Sequence, residues 1–191
     1  QNTPNTSILI SGENLAAGSV SGVIVEDCTI TNPSTANSDS GIRIDYGAQN
    51  VIIQRNAFTI DFGSREDKNG VYWWYPGDGI VCRNNTVTGT PWDGFGGGPE
   101  NVFGYINNND FYNNHISGTI DDGIQPDGDN LNTRIYNNVI TNTFSGVSTC
   151  PVAVGPAYIF RNVISDLHYR NSPGDNEGFK LGDGSTGPIY L

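Results

Sequence analysis

Positive charge is scarce in this chain. Two Lys and seven Arg stand against 20 acids among 191 residues, a formal net charge of −11. A nucleic-acid groove needs basic density to displace counterions from phosphates, so nucleic acid and anionic membranes are disfavoured as partners. No apolar run approaches the roughly 20 residues that cross a bilayer, so no membrane span is expected. Cysteines number three, an odd count that gives no disulfide framework. Methionine is absent, and no stretch sustains the three-and-four spacing of an amphipathic helix. The chain starts at Gln1 with no signal peptide and reads as processed or trimmed.

What is abundant is Gly (25 residues), with Asn and Asp, the residues of turns between short strands. They are not scattered. Six times an apolar residue is followed three positions later by Asn or a stand-in, and two later by another apolar residue. The central positions are Cys28, Asn56, Asn85, Asn114, Asn138 and Asn162, separated by 28, 29, 29, 24 and 24 residues by subtraction. A second column, Gly41, Gly70, Gly94, Gly123, Gly146 and Gly178, is followed each time by an apolar residue. The step from each of these Gly residues to the next Asn is 15, 15, 20, 15 and 16 residues, nearly constant, while the return step varies. Near-constant segments are strands and fixed turns; variable ones are loops. Apolar residues alternate with polar ones over short runs, as in Ile42-Arg43-Ile44. A unit of about 24 residues with short strands buries its apolar face only by stacking on the next unit, about 4.8 Å away.

The segments GIRIDYGAQNVIIQRNAFTI, DGIQPDGDNLNTRIYNNVITNT and GPAYIFRNVIS resemble the right-handed parallel β-helix repeat proteins of extracellular bacterial type, in the pectate-lyase-like superfamily. The resemblance covers essentially the whole chain. It implies an all-β solenoid of six to seven coils, about 30–35 Å long at that spacing. It implies one elongated domain over residues 1–191, outside the cell or on its surface. In this fold the Asn column points inward and hydrogen-bonds up and down the stack, since an amide offers two donors and an acceptor. Cys28 then caps the ladder as a small buried thiol. Cys28 and Cys82 are two coils apart, about 10 Å and too far for a disulfide. Gly187-Pro188-Ile189-Tyr190-Leu191 opens like Gly155-Pro156-Ala157-Tyr158-Ile159 but stops where the Asn turn should follow. A longer parent chain, or end-to-end stacking with a partner, accounts for both apolar ends.

Chemistry concentrates next to the Gly column. The residues before it are Ser40, Asn69, Asp93, Asp122, Ser145 and Glu177. Asp93 and Asp122 fall on neighbouring coils, about 5 Å apart. Asp121 adds a third carboxylate and Asp127 follows. Carboxylates this close repel unless a cation or a shared proton relieves them. Calcium suits such an oxygen-rich cluster, with Asp93, Asp121, Asp122 and Asp127 as ligands. Asp-Gly is also ordinary turn sequence, in which the acid caps backbone N–H groups, and both readings stand. Two residues beyond each Gly runs an outward strip, Arg43, Tyr72, Gly96, Gln125, Ser148 and Lys180. With Tyr72 and Trp74 facing out, Trp73 facing in and Trp92 one coil later, this strip suits a polysaccharide. Substrate contacts are expected from Tyr72, Trp74, Trp92, Gln125, His168 and Arg170.

Catalysis, if present, falls to Asp93, Asp122, Glu177 and Lys180. A hydrolase needs two carboxylates about 5–10 Å apart, which Asp93 with Asp122 or Asp122 with Glu177 satisfies. A uronate lyase needs a base and a cation, which calcium with Lys or Arg supplies. Compared with polygalacturonase-like hydrolases, only Asp121-Asp122 of the expected motifs is present, followed by Gly. No Arg matches the pectate-lyase base. A non-catalytic structural, adhesin or filament subunit is the competing expectation, and a phage-type spike module the third.

Overall fold

The computed structural model describes residues 6–16, 19–32, 40–61, 68–98, 106–128, 130–168, 176–182 and 185–191. It is a right-handed parallel β-helix. Short β-rich runs broken by Asn and Gly give three strands per coil, and every strand pairs in parallel with its counterpart one coil away. Sheet A stacks Ile8–Ser11, Ile42–Asp45, Val71–Trp74, Phe95–Gly98, Asp122–Pro126, Ser145–Thr149 and Phe179–Leu181. Sheet B stacks Ile24–Glu26, Ile52–Gln54, Val81–Arg83, Asp110–Tyr112, Thr133–Tyr136, Ala157–Phe160 and Ile189–Tyr190. Sheet C stacks Thr29–Asn32, Ala57–Asp61, Thr86–Thr90, His115–Ser117, Val139–Thr141 and Val163–Ser165. These make six full coils and the start of a seventh. A fourth, two-stranded sheet pairs Ile106–Asn107 with Asn130–Leu131.

The core is the inward-pointing half of each sheet. Ile42, Val71, Phe95, Ile124 and Val147 stack along sheet A, Ile53, Cys82, Phe111, Ile135 and Ile159 along sheet B, and Phe58, Val87, Ile116 and Ile140 along sheet C. The Trp73 indole lies on the Phe111 ring, centroids 5.4 Å apart. Gly97 sits opposite Trp73, where a Cβ would meet the Trp73 carbonyl at 2.1 Å.

Each sheet-B strand turns into sheet C through two residues. The first is left-handed: Asp27, Arg55, Asn84, Asn113, Asn137 and Arg161 all have φ of 55–56°. The second is the ladder residue. The carbonyl oxygens of Asn85, Asn114, Asn138 and Asn162 each accept from the backbone N–H and the side-chain amide of the Asn one coil earlier, at 2.9–3.1 Å. The amides of Asn56, Asn85, Asn114, Asn138 and Asn162 also donate to the carbonyls of Val25, Ile53, Cys82, Phe111 and Ile135. Cys28 is not the buried cap expected. Its N–H donates to Asn56 Oδ1 at 3.0 Å, but its thiol is partly exposed and donates to the Glu26 carbonyl at 3.2 Å within its own turn, because a thiol lacks the second donor and the acceptor that an amide offers the ladder. None of the three cysteines is in a disulfide; Cys82 is buried and Cys150 partly exposed. Among the described residues no helix is long and apolar enough to cross a membrane.

Candidate functional site

Three coils of sheet A bring the acids together. Asn69, Asp93 and Asp122 occupy equivalent positions where their coils enter sheet A and are almost wholly buried. Asn69 Nδ2 donates to Asp93 Oδ2 at 3.2 Å, and the Asp122 N–H donates to Asp93 Oδ1 at 3.0 Å. The turn-capping role therefore holds for Asp93, whose carboxylate spans the coils on either side. Its Oδ2 also fills the place of a side chain at Gly96: a Cβ there would meet it at 2.5 Å. Gly96 belongs to the outward strip, so the Asp93 carboxylate lies on the outer surface of sheet A, covered by its neighbours.

Asp122 differs. It is fully buried, yet neither carboxylate oxygen has a hydrogen-bond partner. Its ion-pair partner is Lys180, with Nζ 3.6 Å from Oδ2, and Ser145 is its register neighbour on the next coil. Carboxylate oxygens of Asp93, Asp121 and Asp122 all lie within 4.8 Å of one another. Asp127 completes the group from the loop after its strand. It accepts from Gln125 Nε2 at 2.7 Å, the Cys150 N–H at 3.0 Å and the Ser148 hydroxyl at 3.4 Å. The loop of one coil is thereby tied to the strand end of the next.

Crowding and burial together favour protons on these carboxyls. Burial, then the charges of Asp122 and Asp121, hold Asp93 well above the usual carboxylate range. Asp122 is pushed up to about 6 by burial and by Asp121, against the pull of Lys180 and Ser145. Burial pushes Asp127 up to about 7, against the Cys150 N–H and Gln125 bonds. Lys180 loses solvation but gains more from Asp122, Asp121 and Asp127, so its ammonium is held more firmly than usual.

The remaining expected contacts are dispersed. Tyr72 and Trp74 are partly exposed, with rings 6.3 Å apart and 14° from parallel, and the Arg43 guanidinium lies 5.1 Å from the Tyr72 centroid. Gln125 is partly exposed beside Asp127. Trp92 is buried at 9% exposure, its N–H bonded to the Lys68 carbonyl in the turn before Asp93. Ser148 of the strip is buried next to Asp127. Glu177 is exposed, two coils beyond Asp122 as its column position requires. His168 is partly buried, its N–H bonded to the Thr143 carbonyl in the turn leading towards the seventh coil. Arg170 lies outside the described residues. Sequence reasoning gave Cys150 and Ser148 no part in holding Asp127; the signal was their place two and four residues after Gly146, facing the loop of the coil before. Comparison of the chain with protein-family models, with curated proteins and with solved structures finds no match.

Proposed function

We propose that this is an extracellular, carbohydrate-active β-helix of the pectate-lyase-like kind, with its site on the outer face of sheet A around Asp93, Asp121, Asp122, Asp127 and Lys180. The observation that carries the reading is the group of three carboxylates within 4.8 Å, one with both oxygens buried and unbonded, beside the partly exposed Tyr72–Trp74 pair. Carboxylates gathered this closely repel one another, and Lys180 offsets only part of that charge, a cost that a purely structural β-helix has no reason to carry.

Of the two cleavage chemistries, the geometry favours hydrolysis. Asp127, pushed up to about 7, keeps a proton near neutral pH and suits proton donation to a leaving oxygen, while Asp122, at about 6 and paired with Lys180, is mostly ionised there. Asp121, partly exposed, is placed to stabilise positive charge on the sugar. Lys180, whose ammonium form is favoured, is the poorer candidate for taking the C5 proton that a lyase must remove. Calcium also fits the donor set: Asp93, Asp121 and Asp122 offer hard oxygens close together, around which Lys180 at 3.6 Å supplies only one positive charge. Bound there, it would neutralise the cluster and fix a sugar hydroxyl or carboxylate.

The test is a screen of the purified chain against neutral and uronate polysaccharides, with calcium and with chelator, following reducing ends and unsaturated products together. New reducing ends without unsaturation are expected. Calcium-dependent unsaturated product would make it a lyase. No cleavage of any polymer by well-folded protein would favour the non-catalytic adhesin or filament reading instead.

A further inference from the structure

We infer that the outer face of sheet C is a surface for crystalline water, on which this protein binds ice. Two columns of side chains point outward from that sheet. One holds the residue directly after each ladder position, from Thr29 through Thr86 to Val163, and consists of Thr, Ala, His and Val. The other is Thr31, Thr59, Thr88, Ser117, Thr141 and Ser165, a hydroxyl on every coil. Every member of both columns is exposed or partly exposed. Parallel register sets the repeats: about 4.8 Å from coil to coil, and about 6.6 Å between the columns, two residues along a strand. Neither column holds an Asp, Glu, Lys or Arg, in a chain with 20 acids and nine bases. The outward positions of sheet B, by contrast, include Glu26, Arg83, Asp110 and Arg134.

These properties select the occupant. A charged group orients hydration water around itself, and a long side chain breaks a flat surface; this face has no charge and only His115 as a larger side chain. A hydroxyl donates one hydrogen bond and accepts two, close to the bonding of water itself. The coil step is near the spacing of like oxygens along a face of hexagonal ice, so a column of hydroxyls can stand in a row of lattice waters. The Thr and Val methyl groups lie among the hydroxyls and exclude loose water without competing for bonds. The array is also held rigid. Each strand of sheet C starts beside the Asn ladder, whose amide bonds of 2.9–3.1 Å fix the coil step. The Thr88 hydroxyl is already fixed by donating to the Phe58 carbonyl at 3.0 Å. A preordered surface loses little freedom on binding. Area argues against a second copy of the chain: the columns enclose about 24 Å by 6.6 Å, far short of the roughly 800 Å² per partner of a stable dimer. A lattice that offers the same repeat without limit needs no such area.

Ice growth in a solution of the whole chain tests this, with the gap between freezing and melting temperatures and the crystal habit as readouts. A measurable gap and faceted crystals are expected. Thr31→Arg and Thr59→Arg, both at exposed positions, should each abolish the gap, with circular dichroism and melting temperature showing that the variants fold. Tyr136→Ala, on sheet B, should leave it unchanged. Rounded crystals and no gap with the natural chain would overturn the inference, as would a gap that survives in both folded Arg variants. A dimer in sedimentation that Thr59→Arg dissolves would give the face to a second copy instead. None of these results bears on sheet A, so the carbohydrate reading stands or falls separately.

Discussion

At the scale of the residue, the acid cluster makes this protein's stability run against the usual pH trend. Asp93, Asp122 and Asp127 bind protons more tightly folded than unfolded. Their contribution is therefore favourable at low pH and is lost as pH rises from the unfolded carboxylate value near 4 through about 7. The thermal midpoint in chelator should fall over that window and level off above pH 8. Asp127→Asn should raise stability at pH 8 by about 1 kcal/mol, after discounting for its partial exposure, and by nothing at pH 4. Denaturant melts at the two pH values check it. Millimolar calcium should flatten the pH dependence and raise the midpoint at pH 8 by replacing protons with a cation. A midpoint unmoved by calcium would remove the metal from the account.

At the scale of the element, the turn between sheets B and C carries the stack. Asn114 accepts two bonds from Asn85 and donates to Asn138 and to the Cys82 carbonyl. Asn114→Ala leaves the Asn85 donors and the Cys82 carbonyl buried without partners, and should cost about 2–4 kcal/mol. Cys28→Asn supplies the amide that the first coil lacks and should be neutral or stabilising by about 1 kcal/mol. Equilibrium urea melts separate the two cases by sign. Arg161 holds a left-handed φ of 56° while exposed, so Arg161→Asn should add a few tenths of a kcal/mol up to about 1.

These turns also show what could be read from the residues alone. The Asn ladder was legible because each coil repeats the same side chain with one task, and its spacing survives every loop insertion. The left-handed column beside it was not, because Asp27, Arg55 and Arg161 hide a conformation that only its Asn members, Asn84, Asn113 and Asn137, advertise. The acid column was legible as a column, and its partial turn-capping role was one of two readings on offer. That Asp93 would fold over Gly96, and that Trp92 would be buried, depends on how a turn aims its side chains outside strand alternation. Asp127 could be seen as an acid, but its three anchors come from different residues of two coils and follow no repeat.

At the scale of the whole molecule, three faces carry three chemistries. Sheet A holds the acids and the Tyr72–Trp74 pair. Sheet B carries a stacked column of Tyr112, Tyr136 and Phe160, with ring centroids 4.9 and 5.0 Å apart. Sheet C presents Thr31, Thr59, Thr88, Ser117, Thr141 and Ser165 in a row of hydroxyls. The proposed function belongs to sheet A because, among the described residues, buried carboxyls, amides and partly exposed aromatic rings share three consecutive coils there. With a net charge of −11, mutual repulsion across the molecule should make 0.5 M salt stabilising at neutral pH.

The most direct test of the sheet-A assignment is the reducing-end assay on the best polymer from the screen, comparing the natural chain with Asp127→Asn and Asp122→Asn. Circular dichroism and melting would confirm that both variants fold. Loss of activity by about a hundredfold or more in each, with Tyr136→Ala on sheet B unaffected, is the predicted result. Full activity in both folded carboxylate variants would contradict it and move the chemistry off sheet A.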